Sequence, residues 1–140
     1  MIYSWASVRT IVVFTERLYP SGKSLHLHYT PLAYIIVMKF IETPTFTCMI
    51  TALLADDEYL GLQTVLVQDP SCGDVIKNGG GIRKMRYAAQ GRGKSGGIRV
   101  IYYWIKDEHQ IYTLVAYPKA RKDTLSDREV AILREFVKEL

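Results

Sequence analysis

The chain has 140 residues, of which 49% are hydrophobic and 23% charged; this suits one domain, or one domain with an extension, and excludes a chain disordered throughout. Net charge is +4, but its distribution says more: Lys77 to Lys122 holds 11 Lys or Arg against Asp107 and Glu108, whereas Asp56 to Asp74 holds five acids and no base. Cys48 and Cys72 have no CxxC spacing and His26, His28 and His109 form no ligand cluster, which argues against a disulfide scaffold or zinc centre and for a reducing cytoplasm.

The first 37 residues read apart from the rest. Pro20-Ser21-Gly22 is a turn and Thr30-Pro31 a break. The apolar runs Ile11–Phe14 and Leu32–Val37 fall short of the roughly 18 residues that span a bilayer, and no signal-peptide pattern is present. Met38-Lys39-Phe40-Ile41-Glu42 then reads as a first strand, over about 38–43. The expectation is that Met38 is the initiator, with 1–37 translated upstream sequence outside the native product or a loose N-terminal extension, and that the domain, over 38–140, does not need it. An accessory β-hairpin in 1–37 is the alternative.

From Met38 an α+β plan follows. Thr43-Pro44 fits N-cap and N1 of a helix over about 44–53. Asp56 is placed as the cap of a second helix, with Asp57 and Glu58 in its first turn. Tyr59, Leu62, Leu66 and Val67 recur there at helical spacing, and Asp69-Pro70 ends it. Residues 70–81 are a turn-rich loop. Strands are expected at about 82–88, 98–105 and 110–117, the last two joined by a polar connection at Lys106–His109. Ser126 and Glu129 make a capping box, and Leu125 with Val130 a hydrophobic staple, for a closing helix that buries Val130, Leu133, Val137 and Leu140. The expected fold is a twisted, mainly antiparallel four-stranded sheet, with two N-terminal helices and one C-terminal helix packed on one face.

The run Arg83 to Arg99, RKMRYAAQGRGKSGGIR, has six basic residues and no acid. Such crowding on two strands and their loop is tolerable where the face meets a polyanion, phosphate backbone above all. Lys84 and Arg86 lie two apart and so share one sheet face, opposite to Arg83 and Met85. Gly93-Lys94-Ser95 is not a nucleotide loop: Ala88 stands where that motif needs glycine, and a β run follows instead of a helix. Ser95 has no His/Asp partners in its context. A cation cluster without paired His and carboxylate acts chiefly by stabilising charge on a phosphate.

Four segments carry a likeness to a known family: Gly73-Asp74-Val75-Ile76; Gly80-Gly81-Ile82-Arg83-Lys84-Met85-Arg86; Gly91 to Tyr103, GRGKSGGIRVIYY; and Leu114-Val115-Ala116-Tyr117-Pro118-Lys119. Together they resemble the RelE/ParE superfamily of bacterial type II toxins, and most its HigB-like RelE branch, over about 38–140. The resemblance implies a RelE-like fold. It also implies a ribosome-dependent endoribonuclease that enters the A site, cuts messenger RNA by 2′-hydroxyl attack without a metal or other cofactor, and stops translation. It implies a cognate antitoxin, helix-turn-helix in type, a cytoplasmic location, and no membrane partner. By the same resemblance Lys84 and Arg86 orient RNA and activate the 2′-hydroxyl, Arg99 holds the scissile phosphate, and Lys119 serves the leaving oxygen. Arg83, Arg92, Lys94 and Tyr117 are assigned to RNA binding. RelE itself carries a tyrosine shortly after the Lys119 position, where Leu125 and its neighbours stand here. Two rivals share the fold: a ParE-like toxin that inhibits gyrase, and a non-catalytic module that binds RNA or antitoxin.

Overall fold

The sheet is built around a three-strand meander that the alternating apolar runs after Ile82 make. The computed structural model describes residues 7–15, 34–88 and 96–140. Among these the order is β1 (Ser7–Thr15), β2 (Tyr34–Glu42), α1 (Pro44–Leu53), α2 (Asp56–Gln68), β3 (Asp74–Val75), β4 (Arg83–Tyr87), β5 (Ile98–Ile105), β6 (Gln110–Pro118) and α3 (Asp127–Lys138). The six strands lie in the order β1-β2-β6-β5-β4-β3. Every pairing is antiparallel except β2 with β6, which is parallel from Lys39 opposite Gln110 to Glu42 opposite Thr113.

The four expected strands are β2, β4, β5 and β6. Two more flank them. β3 is a two-residue pairing inside the turn-rich loop, and β1 pairs with β2 from Ser7 opposite Glu42 to Thr15 opposite Tyr34. β2 begins at Tyr34, so it runs through Met38 instead of starting there.

Local chemistry sets the helix ends. The Thr43 hydroxyl accepts from Phe46 N–H at 3.0 Å, and Pro44 opens α1. α2 departs from expectation: its N-cap is Ala55, without a side-chain bond, and Asp56 is already inside the first turn. Asp56, Asp57 and Glu58 therefore stabilise α2 through its dipole alone. At α3 the Ser126–Glu129 capping box is present in both directions.

The helices cover both sheet faces, not one. Phe46, Ile50, Tyr59, Leu62 and Leu66 of α1 and α2 pack with Met38, Phe40, Met85, Val100 and Tyr102 on one side. Val130 and Val137 of α3 pack with Ile82, Ile101, Tyr112, Leu114 and Tyr117 on the other. The reason is legible in β5 and β6, where most residues are buried and none is exposed: inner strands apolar on both faces need cover on both. A bulge adjusts β6: Ile101 faces Val115 and Tyr102 faces Thr113, so Leu114 is the extra residue. Leu114 and its neighbour Val115 consequently both join the α3-side core.

A buried carboxylate ties β2 to both leading helices. Glu42 accepts from the Thr47 hydroxyl at 2.8 Å and from the Tyr59 hydroxyl. Buried polar groups need such partners. No described helix is long and apolar enough to cross a membrane.

Candidate functional site

Strand register gathers the cations. Arg86 on β4 lies opposite Arg99 on β5, and Arg99 opposite Tyr117 on β6. Directly opposed side chains of a sheet start about 5 Å apart. The three therefore form one row across three strands, on the α3 side, as the packing of Tyr117 shows. Lys84 lies two residues before Arg86 on the same face. Lys119 follows Pro118, and its N–H donates to the Gly97 carbonyl at 3.0 Å, which carries the β5–β6 ladder one step further. Arg86 and Lys119 are exposed, and Lys84 is half-buried.

Arg99 differs from the rest. Only 2% of it is exposed, and its Nη2 donates to Asp123 Oδ1 in an ion pair. Its Nε–H is buried and finds no hydrogen-bond partner among the described residues. The Tyr117 hydroxyl is in the same condition, and burial pushes it above its ordinary pKa while the Arg99 charge pulls the other way.

Asp123 lies in the connector between β6 and α3 with 66% of its side chain exposed. The hydrogen bond from Arg99, and then the Arg99 charge, hold its carboxyl below the usual carboxylate range; Lys84 and Arg86 add to this from further away. One carboxylate thus lies in the field of three of the cations. Opposed like charges such as Arg86 and Arg99 repel, and Asp123 offsets that repulsion. Sequence reasoning missed it. The one available signal was an acid placed soon after the basic run Lys119–Lys122.

The same connector is fastened to the start of α3. Glu129 Oε2 accepts from Lys122 Nζ, from Ser126 N–H at 2.7 Å and from the Ser126 hydroxyl at 2.9 Å. The Lys122 bond first, then the Ser126 bonds, lower the Glu129 carboxyl to about 2. A cleft of about 280 Å³ opens beside the cation row, lined by Lys84, Asp74, Ile76, Thr124, Leu125 and Val130 among others.

Arg83 is not in this group. It shares the opposite face with Met85, and its Nη1 donates to the carbonyls of Ser71 at 3.1 Å and Gly73 at 2.8 Å. Its guanidinium serves the 70–73 turn. The buried Tyr102 works on that turn too, donating to the Pro70 carbonyl at 2.7 Å and accepting from Gly73 N–H at 2.9 Å. A Cβ on Gly73 would come within 2.8 Å of the Tyr102 ring. Arg92 and Lys94 lie outside the described residues, as do His26 and His28. His109 is in the β5–β6 turn at φ 51°, away from the row. Among the described residues no group of three or more His, Cys, Asp or Glu could hold a metal ion.

The arrangement can bind an anion with two or more oxygens and stabilise added negative charge on it. A family model described as the RelE toxin of the RelE/RelB toxin–antitoxin system matches residues 67–140. The match runs from the end of α2 through α3 and includes every residue of the row, its flanking lysines and Asp123.

Proposed function

Because the chain belongs to the RelE toxin family, we propose that it is a ribosome-dependent endoribonuclease, the toxin of a type II pair, that cuts messenger RNA by 2′-hydroxyl attack without a metal. A toxin of this family has an antitoxin partner; that this chain is of the HigB-like branch, that it acts in the cytoplasm and that its antitoxin is a helix-turn-helix protein are parts of the proposal. The observation that carries the reading is the Arg86–Arg99–Tyr117 row with Lys84 and Lys119 at its ends.

In the proposed reaction the 2′-oxygen bonds to the neighbouring phosphorus and loses its proton. The phosphorus–O5′ bond breaks, and O5′ leaves with a proton as a hydroxyl. The products are a 2′,3′-cyclic phosphate and a 5′-hydroxyl end. Arg99 and Arg86 take the non-bridging oxygens, where charge builds up; fixed donors are worth most there, because they need no reorganisation during the step. Lys84 lies next along β4, where it orients the attacking ribose and draws on its proton. Lys119, at the far end of the row, serves the leaving oxygen. The Tyr117 hydroxyl is a buried donor beside Arg99. No histidine among the described residues is near enough to serve as base, so charge stabilisation carries most of the rate.

The test is cleavage of a translated message by the purified chain, with the cut ends mapped. Cyclic-phosphate ends that require ribosomes are expected. Cleavage should persist when chelator is added to ribosomes kept intact by polyamines, and it should fall steeply with salt, because the counterions that RNA binding releases then gain less entropy. Growth arrest with DNA damage and no cut message would instead support the gyrase-directed reading. No arrest at all would support the non-catalytic module.

A further inference from the structure

Arg99 poses a physical problem. It stands at the middle of the row, yet it is 2% exposed and its Nη2 is already occupied. A phosphate arriving from solvent cannot bond to it while Asp123 stays in place. We propose that the Asp123 carboxylate fills the phosphate position in the free protein, and that RNA reaches Arg99 only by displacing it. The inference rests on the reading of this row as a phosphate site, and it adds a built-in competitor to it.

Four observations carry it. A carboxylate and a phosphate present the same kind of acceptor oxygens to a guanidinium. Asp123 lies where the charges of Arg99, Lys84 and Arg86 converge, which is where a phosphate would be held best. With 66% of it exposed, Asp123 is already largely hydrated and can turn into water, and the incoming phosphate takes its place as counter-charge to the buried Arg99, which could not be left unpaired without cost. Finally, the Arg99 Nε–H and the Tyr117 hydroxyl are buried and unpartnered among the described residues. Those are unused donors beside the same position, available to a ligand larger than one carboxylate.

The connector suits an exchange of this kind. It is held on the sheet side by the Lys119 N–H to Gly97 bond and the Arg121 N–H to Pro118 bond. On the helix side Glu129 holds Lys122 and Ser126. Between these ties, the Asp123 side chain bonds only to Arg99 among the described residues. It can swing out without unfolding the segment at either end.

Asp123→Asn tests this on the full chain. It keeps the shape and an acceptor oxygen for Arg99 but removes the charge that excludes another anion. Two ligands are titrated: inorganic phosphate, followed by the NMR signal of the Arg99 side chain, and a single-stranded RNA made uncleavable by 2′-deoxy substitution. Both should bind about fivefold tighter, or more, to the variant than to the wild type, since removing one unit charge in contact with the site lifts at least that much competition. Thermal melting of both proteins shows whether the fold is kept, and Asp123→Ser replaces Asp123→Asn if it is not. A folded variant that binds phosphate equally or more weakly overturns the inference, because a residue that merely positions Arg99 would weaken binding when lost. If phosphate binds tighter but RNA binds neither protein, the competitor stands and the RNA reading falls. If the wild type cuts message and neither ligand tightens, the RNA reading stands and the competitor falls.

Discussion

Arg99 shows how much a single position can carry. The sequence places it at the head of a strand inside a basic run, where a partly exposed cation would be expected. The structure buries it, because β5 is an inner strand with α3 over that face. Arg99→Ala should therefore act twice. Cleavage should fall by about 10²-fold or more, as when one preorganised donor is removed. Stability should also fall, by about 1–3 kcal/mol, through lost packing around a fully buried side chain. Parallel cleavage assays and thermal melts would show both, and a variant with unchanged melting would contradict the burial. Arg99→Lys keeps the charge without the planar fork and should recover only part of the rate. The cations of this site were legible because strand alternation fixes their face. Asp123 was not, because only the tertiary path of an irregular connector brings it to Arg99.

At the scale of elements, β4 divides its three cations by side. Lys84 and Arg86 face α3, whereas Arg83 holds the carbonyls of Ser71 and Gly73. Arg83→Ala should lower the melting temperature and leave cleavage per folded molecule within a few-fold. Lys84→Ala and Arg86→Ala should do the reverse, and an alanine series with melts reads the contrast directly. α3 supplies a pH dependence. Its Glu129 has a carboxyl pKa of about 2 in the folded state against 4.5 ordinarily. The stabilisation is then complete above about 4.5 and is lost as pH falls from there towards about 2. Glu129→Gln should flatten the acid side of a stability-against-pH curve in that window. An unchanged curve would mean that the bonds from Lys122 and Ser126 are not formed in solution. Element ends with strong local chemistry, at Thr43 and Ser126, were readable in advance. The α2 start was not, since Ala55 leaves no side-chain signal and the adjacent acids suit either position.

For the whole molecule, the sheet has a cation row on one face and α2, with Asp56, Asp57 and Glu58 at its start, on the other. That polarity was visible as charge blocks in the sequence. The two-sided helix cover was not, because burial on both faces of β5 and β6 appears only once their neighbours are placed. We propose that 38–140 folds and acts by itself. Met38, Phe40 and Glu42, the buried residues among those of β2 whose side chains are described, lie within it, and β6 pairs with β2 over Lys39–Glu42. Expression of both lengths should give equal cleavage, with a modest loss of melting temperature for the shorter chain as the β1 pairing goes. An insoluble or inactive short form would make β1 part of the domain.

The parallel pairing of β2 with β6 also sets an order of events during synthesis. Thr43 gives its hydroxyl hydrogen to the Leu114 carbonyl, 71 positions later in the chain. The first central strand thus waits through about half of translation for its partner. Local contacts form early and distant ones late, so the β4–β5–β6 meander assembles before β2 docks. A nascent chain emerging from the ribosome cannot close its sheet until β6 is out, and Asp123 emerges only after β6. The cation row and the carboxylate that pairs with it are therefore completed only when nearly the whole product has been made.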